Sequence, residues 1–355
     1  MPCLADFDDL RYICYNEIIK GVNKMKKESF EYANLLKIKK MSLEELNSYY
    51  RALRKYEFES GKNISSSTII KRIHFLKMLI LKIDRILTKR ELIVFDDKRE
   101  KSYSNGKIYA ASHVGRYDIE STLEAINDQA YFVMGDPEET YRNFEGFFLD
   151  KINGRICFDT GYQMFDAQMA QKSGKVITEQ EKKIIEEYKI DRAIGEKNCI
   201  KRVQNGDNIL IYPEGAWNIT DRLTQTLFPG TARIAINGNG IIIPIGIIRN
   251  DKTYIVNIGR EFDVTGANLT DVANITLELK ELLNSLKGEI IFHDLSKIIP
   301  RSTFKSPEEN IKHNIDDIMS ESTNGYTIDV IEKTRYFDLN YPENVIGNTL
   351  TKKLH

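Results

Sequence analysis

Cysteine is scarce in this chain of 355 residues. The four that occur, Cys3, Cys14, Cys157 and Cys199, are widely scattered. None forms a CxxC pair or clusters with histidine, which points away from a zinc site and toward reduced thiols. Histidine is nearly as rare: there are five. His74, His293, His313 and His355 are dispersed and read as structural or surface groups, so no metal ligand set is expected. Long apolar runs are missing too, and no stretch approaches the roughly 18 uncharged residues of a membrane span. The opening MPCLADFDDL carries acids where a secretory signal needs basic and then apolar residues, so a cytoplasmic protein is expected. Net charge is −1, which leaves no global field for nucleic acid, and no nucleic-acid partner is expected. There is no G-x-S-x-G elbow for a serine hydrolase. A phosphate loop fails as well, because Gly174-Lys175 is followed by Val176 and Met169 stands where the first glycine belongs.

What remains divides into three regions. Residues 1–100 read as helical. Ser42 and Glu45 have the spacing of a capping box. A helix is expected over 64–92, where Ile69, Ile73, Leu76, Ile80, Ile83 and Leu87 recur every three or four residues. Eight Lys or Arg and one acid, Asp84, lie between Lys62 and Arg90. That helix either packs on the core with a solvated basic face or lies on an anionic membrane surface. Residues 101–300 alternate short apolar runs (KIYAAS, AYFVMG, RICFD, NILIYP, GIIIPIGII) with helix-length segments, notably 192–205 and 231–237. This predicts an α/β core with a mixed, largely parallel sheet flanked by helices, its active groups gathered where strands end. Residues 301–355 form a C-terminal extension in which Ser306-Pro307-Glu308-Glu309 opens a helix to about residue 320.

Two strand ends carry chemistry. In IYAASHVGRYDIE a strand runs into His113, and Asp118 follows five positions later. A carboxylate in the first turn of the next helix can reach back to one ring nitrogen and leave the other free to take a proton. That is a base with its orienting acid, lacking a protein nucleophile, so the hydroxyl to be activated belongs to the substrate. In NILIYPEGAWN a strand stops at Pro213, and Glu214-Gly215 forms a turn at its end. A third segment, GIIIPIGII, places Pro244 inside an apolar strand, which suits an edge, a bulge or a ligand wall.

H-x4-D after a strand, PEG after a strand about 100 residues on, and an apolar strand with a proline together resemble the glycerol-phosphate and lysophospholipid acyltransferase family. The match covers about residues 105–250. It implies a glycerolipid acyltransferase-like fold and transfer of a fatty acyl group from acyl-CoA or acyl-carrier protein to a lipid hydroxyl, with no bound cofactor. By position, it makes His113 the general base, Asp118 its orienter, and Glu214 and Gly215 part of the acceptor-binding turn. The departures concern the acceptor. Ser112 stands where the family has Asn, Gly115 where it often has Ser, and Ala216-Trp217 where it has Thr-Arg. The middle motif, a strand ending in Asp-Arg, becomes Asp159-Thr160. Arg192, in the Asp191-Arg192 pair read as preceding a helix, is the favoured replacement anion contact, against a plain helix-start ion pair. Arg116 is a second candidate. Trp217, the single tryptophan, walls the acceptor pocket or packs in the core. The expected acceptor is a lysophospholipid or related glycerolipid or glycolipid, and the expected place is peripheral, on the inner face of the cell membrane. The alternative is a catalytically silent lipid-binding or scaffold protein on the same fold.

Overall fold

The computed structural model describes residues 74–100, 106–134, 154–157, 176–215, 217–218 and 223–293, with isolated positions between 37 and 60. Its elements run α1 (His74–Leu87), β1 (Glu91–Asp97), β2 (Lys107–Ala111), α2 (Asp118–Ile126), β3 (Ala130–Met134), β4 (Arg155–Cys157), α3 (Glu179–Gln204), β5 (Asn208–Ile211), α4 (Gly230–Gly238), β6 (Ile241–Asn250), β7 (Thr253–Ile258) and α5 (Val272–Phe292). The seven strands form one sheet in the order β1-β7-β6-β2-β5-β3-β4. All neighbours are parallel except β6 and β7. The architecture is α/β, a mixed and mostly parallel sheet flanked by helices.

Period-two alternation builds the two faces. Ile108, Ala110, Ile209 and Ile211 point to one side, where Val203 of α3, Ile234 of α4 and Leu279 and Leu283 of α5 cover them. Tyr109, Ala111 and Leu210 point to the other, beneath Met78 and Leu81 of α1 and Leu123 and Ile126 of α2. Strands covered on both faces need continuous apolar sequence, which is why β6 reads as an isoleucine run. Pro244 lies inside that run, not at an edge. Its register partner on β2 is Ala110, and its carbonyl accepts from Gly259 N just past the start of the β6–β7 ladder. The missing N–H therefore falls at the ladder's margin.

The structure corrects three sequence expectations. The helix expected through residue 92 ends at Leu87, and Glu91–Asp97 is an edge strand of the central sheet. Lys89 makes the turn in a left-handed conformation, φ 54°, so no glycine marks the stop. Helix α3 begins at Glu179, well before Arg192, because nothing between them breaks the helix. Arg192 is therefore mid-helix, and both readings that placed it at a helix start lose their geometry. Finally, α4 closes at Asn239 in the left-handed conformation, not at Asn237-Gly238. The Ser42–Glu45 capping box is present, with Ser42 N donating to Glu45 Oε2 at 2.7 Å and Glu45 N to Ser42 Oγ at 3.2 Å. Ile69, Ile73, Asp159-Thr160 and the C-terminal extension lie outside the described residues.

Candidate active site

His113 follows the C-terminal end of β2, and Asp118 is the first residue of α2. The loop between them folds around a single oxygen. Asp118 Oδ2 accepts from Val114 N at 2.6 Å and Gly115 N at 3.0 Å, and it lies 2.8 Å from His113 Nδ1. The carboxylate is fully buried. An oxygen that already accepts two main-chain N–H groups is an acceptor toward the ring, which assigns the imidazole proton to Nδ1 and makes Nε2 the basic atom. Nε2 has no protein partner among the described residues.

The loop's shape depends on Gly115, whose φ is 153°. A Cβ there would stand 2.4 Å from Arg249 Nη1. A side chain at this position would thus collide with a guanidinium that β6 brings against the His113 loop. Arg249 itself is buried, with Nε donating to the Asp251 carbonyl. Tyr212 supplies the floor. Its ring lies 4.4 Å from the imidazole centroid, tilted by 33°. Its hydroxyl donates to Thr122 Oγ1, which in turn donates to the Asp118 carbonyl. Burial, followed by the Asp118 charge, pushes the phenol well above its ordinary pKa, so Tyr212 is a neutral platform rather than a competing acid.

Glu214 faces inward. It is 1% exposed, and each oxygen takes one main-chain N–H: Oε1 that of His113 at 2.8 Å, Oε2 that of Gln225 at 2.9 Å. Gly215 adopts φ 74° and donates its N–H to the Tyr212 carbonyl, which closes the PEG turn tightly. Asn218 N donates to the His113 carbonyl at 2.7 Å. Trp217 is half-buried and stands edge-on to the imidazole, with centroids 6.3 Å apart and planes at 81°. It therefore borders the imidazole instead of packing in the core. Arg116 is half-buried, its guanidinium 5.3 Å from the Tyr117 ring centre. Arg90 covers the same ring at 5.2 Å.

The structure thus brings His113, Asp118, Glu214, Gly215 and Trp217 together, with Arg116 on the same loop. Arg192 lies in α3, and its side chain is outside the described residues. Sequence reasoning missed Tyr212, Gln225, Asn218, Arg249 and Lys287. Lys287, on α5, is 4% exposed and donates to the carbonyl of Leu223, two residues before Gln225. Tyr212 and Asn218 carried a signal by adjacency to the PEG segment, and Arg249 by adjacency to GIIIPIGII. Gln225 and Lys287 come from segments with no motif. Among the described residues no group of three or more His, Cys, Asp or Glu could hold a metal ion.

No protein-family model matches the chain, and no curated protein matches it. Among solved structures, it is similar to the 1-acyl-sn-glycerophosphate (LPA) acyltransferase PlsC from Thermotoga maritima. The identity is 11% and the TM-score 0.46, over 70% of this chain and 95% of that one.

Proposed function

We propose that this protein is an O-acyltransferase that moves a fatty acyl group from acyl-CoA or acyl-carrier protein to a hydroxyl of a lysophospholipid or related glycerolipid or glycolipid. The observation that carries the reading is an imidazole oriented through Nδ1 by a buried carboxylate, with Nε2 left without a partner among the described residues at the mouth of a strand. Such a base is arranged to act on a substrate hydroxyl.

In this reading Nε2 of His113 takes the proton of the acceptor hydroxyl as that oxygen attacks the thioester carbonyl. The carbon–sulfur bond breaks, and the imidazolium returns the proton to the departing thiolate. Asp118 stabilises the imidazolium and holds the ring. Glu214 contributes from beneath, through the main chain, since both its oxygens are occupied. Contact with the acceptor then falls to Trp217 and the Gly215 turn, with Arg116 or Arg192 as the cation for an anionic head group.

Approach to lipid falls to α1, on the inner face of the cell membrane. Among the described residues no helix is long and apolar enough to cross a membrane. Helix α1 nevertheless exposes Phe75 (80%), Leu79, Ile83 and Ile86 (71%) along one side. It packs against α2, which opens with Asp118. The surface offered is an apolar stripe, whereas the basic face expected from sequence is diminished because Lys77 is buried.

The test is thioester consumption with long-chain acyl-CoA and acyl-carrier protein against a panel of lysophospholipids and glycolipids. Wild type should release free thiol in an acceptor-dependent way. His113→Ala should lower turnover by about 10²- to 10⁴-fold with its thermal midpoint preserved. Equal turnover in the variant removes the base. Folded wild-type protein without turnover on any pair favours the lipid-binding or scaffold alternative.

A further inference from the structure

We propose that Lys287 is a positioning residue for the His113 base: from α5 it supplies the buried counter-charge that lets Glu214 clamp the base loop and the 223–228 segment together. The inference deepens the acyltransferase reading and rests on it.

The geometry begins at Glu214. Each carboxylate oxygen accepts one main-chain N–H, from His113 on one side and Gln225 on the other. Only the ionised form accepts fully at both oxygens, since a protonated acid turns one of them into a donor. Glu214 is 1% exposed, so this charge stands where a lone carboxylate is strongly disfavoured. Burial raises its pKa and sets the net direction, which is upward; the Lys287 charge first and then the two main-chain N–H groups oppose it. Lys287 is itself buried, and burial lowers its pKa on balance, with the Glu214 charge acting in the opposite direction. Two opposite charges enclosed in the same interior each make the other tolerable.

Lys287 also has a mechanical hold. Its Nζ donates to the Leu223 carbonyl, which also accepts from Asn218 Nδ2 at 3.3 Å. Asn218 N in turn donates to the His113 carbonyl. Phe228 N donates to the Pro213 carbonyl at 2.8 Å. The PEG turn and residues 223–228 are thus stapled at both ends, and His113 is gripped by its N–H from Glu214 and by its carbonyl from Asn218. The backbone of α5 lies directly on the sheet here, since a Cβ on Gly246 would meet Lys287 N at 2.9 Å. Helix α5 therefore delivers one long cation beneath the turn that holds the base. Its action on the imidazole therefore runs through Glu214 and the main chain.

The experiment compares Lys287→Met, Lys287→Arg, Glu214→Gln and the Lys287→Met/Glu214→Gln double variant in the thioester assay, each checked for folding by thermal unfolding. Lys287→Met should lower kcat by up to about a hundredfold, the scale of a displaced base, with the acceptor KM nearly unchanged. Lys287→Arg should restore turnover, because it restores the charge. The double variant should be no slower than Lys287→Met, because both changes release the same clamp. Wild-type kcat in folded Lys287→Met, losses that multiply in the double variant, or no difference between Met and Arg at position 287 would each overturn the proposal. If Lys287→Met does not fold, Glu214→Gln decides, and wild-type kcat in that variant overturns it. If wild type has no thioester turnover, the acyltransferase reading fails on its own, and the clamp is read by hydrogen exchange at the His113 amide. Exchange should then be at least about tenfold faster in Glu214→Gln, as expected when a protecting bond opens locally; unchanged exchange overturns the clamp.

Discussion

Asp118 and Asp128 stand at opposite ends of the same parallel strands, and each gathers three donors on one carboxylate oxygen. Asp118, beyond the C-terminal end of β2, holds His113 and two main-chain N–H groups of its own loop. Asp128, at the N-terminal edge, accepts from Lys107 at 3.2 Å, Tyr109 at 2.6 Å and Asn208 at 3.2 Å. Lys77 donates to its backbone carbonyl. The two carboxylates are alike in construction and differ in what they hold. An imidazole is the side chain that exchanges protons near neutrality. The phenol of Tyr109 is pushed far up, by burial first and then by Asp128. Burial raises the pKa of Asp128 itself, but the Tyr109 hydroxyl and the Lys107 charge outweigh it and the net direction is downward. The N-terminal edge is thus a fixed network that ties β2, β5 and the α2–β3 connection. The C-terminal edge has the same carboxylate chemistry with an imidazole in place of the phenol.

That contrast can be broken by matched substitutions. Asp118→Asn should give the largest effect, a loss of turnover of about 10²- to 10⁴-fold, because an amide no longer selects the Nδ1–H tautomer. Asp128→Asn should leave kcat within about twofold and lower stability by about 1–3 kcal/mol, toward the low end because the side chain keeps 28% exposure. Thiol release and denaturant unfolding on both variants separate the two outcomes. A large kcat loss in Asp128→Asn, or none in Asp118→Asn, would erase the distinction. The Asp128 contribution also has a pH signature. Its folded pKa lies below the unfolded value, so its stabilisation is present above the unfolded carboxyl pKa and disappears as pH falls through the folded one.

Lys77 sharpens the comparison from the basic side. Burial lowers its pKa to about 8, against the pull of Asp128. Between that value and the unfolded lysine pKa the unfolded chain binds the extra proton, so stability should rise with pH across this window. Lys77→Met should stabilise the protein near neutrality by about 1–3 kcal/mol and flatten that rise, in thermal unfolding from pH 7 to 10. A variant whose pH slope matches wild type would show that Lys77 is not the source. The smallest effect on the fold belongs to the solvent side of the same helix. Phe75→Ser with Ile86→Ser should change stability by no more than about 0.5 kcal/mol yet weaken vesicle binding several-fold. Cosedimentation with phosphatidylglycerol-containing vesicles checks it, and unchanged binding removes α1 as the lipid contact.

The legible parts of this protein were local. KIYAA and NILI announced strands through apolar runs ended by polar residues, and H-x4-D placed His113 and Asp118 a few residues apart, where no tertiary folding is needed to bring them together. Strand β1 was illegible because a lysine makes the left-handed turn that glycine usually marks. Arg192 was misplaced because Asp191 resembles a cap while the helix around it runs unbroken from Glu179.

Sequence alone determined the α/β alternation and the His113–Asp118 pairing, since periodicity and short-range hydrogen bonding are properties of neighbouring residues. Tertiary structure decided which way Glu214 turns. It brought Glu214 to the His113 amide across 101 positions of sequence and carried Lys287 and Arg249 to the same strand edge. It also buried Lys77 while exposing Phe75 and Ile86, because a helix with apolar residues on more than one side leaves the choice of inward face to the sheet it meets.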